Sequence, residues 1–335
     1  MKADSRVPQI LRSAAGPLVA LALLAAFNLL ATPGFFEIEL RDGRWVGAPL
    51  DVLVRGAPLA LAALGMALVL GTGGVDLSVG SVAAIAGVVG GLCVRDAGTG
   101  AGPAIAAGLA AGALAGLFNG ALVTWLGLQP IVATLILFTA GRGVAQILSD
   151  GMVVSFHHPG FAALAAAHPL GIPLPVMLAL GCAAALGAFL AAGPRLFVEA
   201  LGQSERAARL AGVPLAWTRL WAYGLCGALA ALAGLIVTAD IQAADPANCG
   251  IYLELDAILA AVLGGTALAG GRVRLLGTLL GAFFLQALST TILMHGLGYD
   301  LMLVVKATAV LALAALQSPR LQARAARWRR AEARA

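Results

Sequence analysis

Ten apolar runs follow one another through the 335 residues, each bounded by charged text or by glycine and proline. They cover Gly16 to Ala31, Ala57 to Leu70, Val79 to Val94, Ala104 to Leu126, Pro130 to Leu148, Leu174 to Ala192, a seventh ending at Ala239, Ala257 to Ala269, Leu275 to about Leu293, and Leu301 to Leu316. Crossing a bilayer core of ~30 Å takes about 20 apolar residues. There every backbone N–H and C=O must be bonded within the protein, so an open chain of apolar runs can only cross as helices. An all-α, polytopic membrane protein with about ten transmembrane helices is expected, as one membrane domain over residues 1–335. The chain is 61% hydrophobic and 11% charged, with a mean hydropathy of +0.95, against roughly 25% charged residues in a soluble domain. The first run ends in NLLATPGFF, which lacks a small-x-small cleavage site, and it is expected to be retained as a helix.

Charge distribution sets the orientation. The net charge of +5 could point to nucleic acid, but fifteen of the 21 basic residues fall in four places. These are Lys2, Arg6 and Arg12; Arg195, Arg206, Arg209 and Arg219; Arg272 and Arg274; and the tail from Arg320 to Arg334. Counting spans alternately puts all four on one side, the positive-inside pattern. A multi-pass membrane protein with both termini and a basic tail (318–335) in the cytoplasm is the expectation, with lipid around it and no nucleic-acid partner. The same parity puts Glu254 and Asp256 at the outer face.

The second run is too short. About fourteen residues precede GTGGVDLSVGS, so this element is read as glycine-broken or re-entrant, or completed through the glycines. Irregular backbone at membrane depth is tolerated only where it is buried in protein or lines a cavity. In the fourth run Gly108, Gly112, Gly116 and Gly120 recur every four residues, a strip that lets a neighbouring helix approach closely. The four cysteines have no C-x-x-C spacing and are read as small buried residues. His157, His158 and His168 have no carboxylate or cysteine at ligand spacing, so no metal and no cofactor is expected.

The longest charged helix-forming run lies between the two apolar halves, from Glu199 to Tyr223. Charges cost about 2.5–3.5 kcal/mol each at a bilayer-embedded helix centre, so this loop, about 193–219, must face water. Ser204, a run of helix formers and the stop Gly212-Val213-Pro214 read as a short capped helix. Taken alone, a solvated connector explains it as well as a docking element does. The pattern Gly202, Ala207, Ala208, Ala211, Gly212 resembles the coupling helix G-x-x-x-x-A-A-x-x-A-G of ATP-binding-cassette importer permeases of the ribose/branched-chain-amino-acid type. GTGGVDLSVG at Gly71 to Gly80 is similar to that family's T-x-G-G-I-D-L-S-V-G signature, with Val75 for isoleucine, and ELDAILAAVLGG at Glu254 to Gly265 matches a second. Leu122 to Leu148 and ADIQAADPANCGIYLELDAIL carry the resemblance further, to the permease subunits of galactofuranose importers.

That resemblance implies a permease subunit of an ATP-driven sugar importer. Sugar would arrive from a periplasmic binding protein, and a second permease subunit, a paralogue, would complete the path. Separate ATPase subunits would grip the coupling residues Gly202, Ser204, Glu205, Ala207, Ala208, Ala211 and Gly212.

On their own physics, Gly73, Gly74, Asp76 and Ser78 mark the break. Asp76 is read either as a cap for the next helix or as a pathway acid. Arg142 needs an acceptor, either an acid of the protein or sugar hydroxyls. Asn119, Gln129, Gln146 and Gln286 are polar groups at depth that can line a path or bond helix to helix. Lys306 can snorkel. Only Lys2 and Lys306 exist, neither in a phosphate-cradling G-x-x-x-x-G-K-[ST] loop, so no catalytic residue and no ATPase site of its own is expected. An ion-coupled secondary sugar transporter is the alternative; it calls for paired intramembrane acids, of which Asp76 is one at most.

Overall fold

The computed structural model describes residues 6–41 and 44–317; the basic tail 318–335 lies outside the described residues. In chain order the elements are α1 (Arg6–Ala31), β1 (Glu39–Arg41), β2 (Arg44–Val46), α2 (Ala48–Gly71), α3 (Val79–Arg95), α4 (Ala101–Thr124), α5 (Pro130–Leu148), β3 (Val154–Ser155) and α6 (Pro159–Ala166). There follow α7 (Leu174–Ala191), α8 (Pro194–Gln203), α9 (Glu205–Leu210), α10 (Leu215–Ile241), β4 (Ala243–Ala244), α11 (Leu253–Leu263), α12 (Leu275–Met294) and α13 (Tyr299–Gln317). Each of the ten apolar runs falls on a helix, α1, α2, α3, α4, α5, α7, α10, α11, α12 and α13, although the eighth outruns α11, its residues 264–269 lying in the turn beyond. Among the described residues six of these, α2, α4, α5, α7, α10 and α12, are long and apolar enough to cross a membrane. α3 has 17 residues and α11 only 11, so α11 rises about 16 Å, half of a bilayer core.

α2 is the centre of the bundle. Every residue from Gly56 to Gly71 is buried, the expected fate of a helix that is apolar on all sides. α7, α10, α11 and α12 pack around it. Its start is extended beyond the apolar run by Pro49 in the first turn and Asp51, which suits the positive end of the helix dipole. The expectation of a glycine-broken second helix is therefore corrected. The helix is a continuous 24 residues, and the glycines follow its end. The residues that complete it, 48–56, are apolar apart from Asp51 and Arg55, and those two charges cut the apolar run short in the sequence.

The glycine strip of α4 meets α10. A Cβ at Gly116 would overlap the Tyr223 carbonyl oxygen, and one at Gly227 would overlap that of Gly112. The two backbones touch with no side chain between them, which adds dispersion contact where lipid offers no hydrophobic drive between helices.

A second glycine cluster closes the end of the bundle that carries α8 and α9. Gly71 ends α2, Gly202 lies in the last turn of α8, and Gly270 and Gly271 lie in the turn between α11 and α12. The Gly271 amide donates to the Gly71 carbonyl at 3.0 Å. A Cβ at Gly202 would overlap both of those groups. Gly270 and Gly271 have φ of +90° and +85°, a region open to glycine at little cost.

Gly116→Val is expected to lower the thermal aggregation midpoint of the detergent-solubilised protein, by overpacking worth about 1–3 kcal/mol. Gly102→Val, on the same helix with nothing within 4 Å of its Cβ position, should leave it nearly unchanged. Equal midpoints for the two variants would refute the close α4–α10 contact.

Candidate functional site

Two regions hold the predicted residues, and the first is the turn after α2. Asp76 is 1% exposed. Its Oδ1 accepts from the Ser78 amide at 3.0 Å and the Ser78 hydroxyl at 2.6 Å. Asn119 on α4 donates from Nδ2 to Ser78 Oγ at 2.8 Å and to Asp76 Oδ1 at 3.4 Å. Asp76 thus bonds one of the amides left open where α3 begins, and the whole cluster is sealed in the core. Gly73 approaches Gly202 at the glycine joint, and Gly74 lies under the Tyr223 hydroxyl. Gln286 on α12 is half-buried beside Gly56 of α2. Asp76, Ser78 and Asn119 therefore join α4 to the start of α3, while Arg142 and Gln146 lie elsewhere.

Next to this turn lie α8 and α9, which carry the residues expected to couple to an ATPase. The Ser204 hydroxyl caps α9 by accepting from the Ala207 amide at 3.3 Å. Glu205 pairs with Arg219 at 2.6 Å and with Arg209 at 3.1 Å. The Arg219 hydrogen bond is the main cause that holds the Glu205 carboxyl below its ordinary value of 4.5, with Arg209 adding to it. That tie is present above this range and is lost as pH falls through the lowered value. Ala208, expected at the docking surface, is buried against its own chain, whereas Ala207, Leu210 and Ala211 are exposed. On a six-residue helix one face must pack, and Ala208 is on it. Gly202 likewise belongs to the internal joint. Three large apolar side chains stand open at this end: Leu210 at 85%, Leu196 at 70% and Trp217 at 68% exposure.

The second region was less legible. From β4, which pairs antiparallel with β3, a non-helical segment descends along α3 to α11. Ala244 lies against Gly91 and Gly250 against Gly80, eleven helical residues apart, or about 16 Å. α11 then continues to Gly264, which meets Gly277 at the α8–α9 end. Its first turn therefore lies near mid-depth. Glu254 and Asp256, expected at an outer face, are in that first turn. Glu254 is 6% exposed, close against Gly80. Asp256 accepts from Lys306 Nζ of α13 at 2.7 Å; Lys306 does not snorkel. Parity counting misplaces these two residues because the chain re-enters the bundle before α11.

Arg142 on α5 holds this segment. Its Nη1 donates to the Cys249 carbonyl at 2.5 Å and the Pro246 carbonyl at 3.3 Å. Asp245 folds the turn by accepting from the amides of Ala247 and Asn248, each at 2.9 Å. The acceptors of Arg142 Nη1 within the chain are therefore backbone carbonyls rather than an acid of the protein. Gln146, one turn on, is exposed, as are Asn248 and Tyr252. Asn248 and Tyr252 were missed by sequence reasoning. The available signal was DPANCG, a turn-forming string directly before an apolar run too short to span.

The comparisons with known proteins agree on one family. The family described as branched-chain amino acid transport system / permease component matches residues 48–314. The chain is 45% identical to the galactofuranose transporter permease protein of Escherichia coli K12, over 90% of this chain and 89% of that protein. It is 36% identical to the ribose import permease protein of the same strain, over 88% and 90%. With the fructose import permease protein of Bifidobacterium longum it shares 33% identity over 79% and 75%. No solved structure matches the chain.

Asp76→Ala is expected to reduce the yield of folded protein in the membrane more than Asp96→Ala. The first strands Ser78 and Asn119 in the core, at about 1–3 kcal/mol per unpaired buried group. The second breaks only an exposed pair with Arg95, where about 0–1 kcal/mol is at stake. Equal yields on a size-exclusion profile would show that Asp76 is not structural.

Proposed function

We propose that this chain, which belongs to the branched-chain amino acid transport system permease family, is a membrane subunit of an ATP-driven sugar importer. Galactofuranose is the first candidate substrate, and the observation that carries the reading is the 45% identity, over nine-tenths of the chain, to a galactofuranose transporter permease protein. In this reading a periplasmic binding protein delivers the sugar and a second, paralogous permease subunit completes the path. Paired ATPase subunits dock on α8 and α9, at the cytoplasmic side of the bacterial inner membrane, where both termini also lie.

The geometry supports a coupling role. Leu196 on α8, Leu210 on α9 and Trp217 on α10 are exposed apolar side chains, and α9 also carries Glu205, Arg206 and Arg209, a mix of apolar and charged groups that suits docking. A push on α8 is delivered directly to the core, because Gly202 touches the last carbonyl of α2 and the turn before α12. The path chemistry supports a neutral substrate. Exposed beside Arg142 are Gln146 and Asn248, uncharged groups that can both donate to and accept from a neutral solute.

Two measurements test this. Reconstituted with its neighbouring ATPase, binding protein and second permease subunit, the chain should take up labelled galactofuranose only with ATP; ribose uptake at equal or greater efficiency would refute the substrate assignment and leave the importer assignment intact. Leu210→Glu should leave the protein inserted and folded but lower co-purification of the ATPase at least about tenfold, the effect of losing one apolar interface anchor worth about 1–2 kcal/mol or more. Undiminished co-purification would remove α9 from the docking surface.

A further inference from the structure

We infer that Arg142 contacts the sugar directly, from a wet face formed by α5 and the re-entrant segment 245–252; this rests on the importer reading and locates the path within it. Two independent observations point to this face. The first is the guanidinium. Nη1 is occupied by the carbonyls of Pro246 and Cys249, and Nε and Nη2 find no acceptor among the described residues. Arg142 is half-buried, six residues from the end of α5, about 9 Å by helical rise. An arginine at that depth does not face lipid; such groups face the bundle interior or a water-filled cavity.

The second is the backbone. Residues 245–252 are non-helical, yet Ala247, Asn248, Ile251 and Tyr252 are exposed at the surface of the subunit. Irregular backbone is not left exposed to lipid within the hydrocarbon region, where its carbonyls and amides would go unpaired. Both features lie side by side because Arg142 binds the segment. Gln146, four residues along α5, presents its amide on the same helix face.

The chemistry fits a neutral polyol. The N–H groups of Nε and Nη2 lie in one plane and can donate to hydroxyl oxygens of a sugar. Asn248 and Gln146 offer both donors and acceptors, and Tyr252 offers a ring for the apolar C–H face of the sugar together with a hydroxyl. The hydrogen bonds to Pro246 and Cys249 fix the guanidinium plane, so little side-chain freedom is lost when sugar binds.

The test is uptake by proteoliposomes holding the assembled complex with Arg142→Gln, compared for D-ribose, D-galactose, D-fructose and D-allose. The expected result is retained assembly, a rise in half-saturating sugar concentration of at least about tenfold for the best sugar, the loss of one charge-assisted hydrogen bond, and a changed order among the four. Unchanged uptake, or a uniform loss that keeps the order, overturns the contact and leaves a structural role. Loss of the second permease subunit on co-purification overturns it in favour of an ion pair between subunits. As a separate readout, Asn248→Cys should react with a membrane-impermeant thiol reagent faster than the unsubstituted chain, and the best sugar should slow that reaction; no reaction places the segment away from water and overturns the proposal. If the unsubstituted complex shows no ATP-dependent uptake of any sugar, the importer reading itself fails, an outcome distinct from all of these.

Discussion

The need to pair every backbone N–H and C=O away from water governs this molecule. Helices meet it by themselves, and most of the described chain is helical. The chain leaves helical structure within the bundle at three places, 72–78, 242–252 and 264–274, and each has its own device. In the first, Asp76 and Asn119 supply side-chain partners. In the second, Arg142 takes two carbonyls. In the third, the Gly71 carbonyl accepts from Gly271, and Thr266 Oγ1 accepts from the Arg274 amide at 3.2 Å. At the first and third places, which are buried, removing such a partner leaves a polar group unpaired in a dry site at a cost of about 1–3 kcal/mol.

The same constraint shapes the link between the two ends. Turns that meet without side chains can approach to hydrogen-bonding distance, and the meeting of Gly71, Gly202 and Gly271 is such a contact. It joins the last residue of the most buried helix to the element that leads into α9. Packed interiors are stiff and transmit displacement, so movement of α8 and α9 must shift α2 or the α11–α12 turn, or break the joint. α11 continues from that turn to mid-depth and from there into the segment held by Arg142. Beyond it, the β3–β4 pairing ties the segment to the loop between α5 and α6. Hydrogen bonds from Arg142 on α5 to the irregular segment and the ion pair from Lys306 on α13 to Asp256 in the first turn of α11 hold this route laterally.

Much of this was legible in the sequence. Hydropathy alone located all ten apolar helices, because a lipid solvent penalises every departure from the apolar pattern within a span. The α4 strip announced a close helix contact through its four-residue period, and Ser204 announced the start of α9 through cap chemistry. These are local or periodic signals, set by residues close to one another in the chain. What tertiary structure alone decided was partnership and depth. That α10 is the helix against Gly116, that Ala208 turns inward, that Asp76 is sealed by Asn119 forty-three residues away, and that Arg142 binds carbonyls more than a hundred residues on are all long-range pairings with no local imprint. The depth of Glu254 and Asp256 was hidden for a related reason: the alternation of sides treats each helix as a full crossing, and a crossing shared between an irregular segment and a half-length helix keeps the count while moving the first turn of that helix inward.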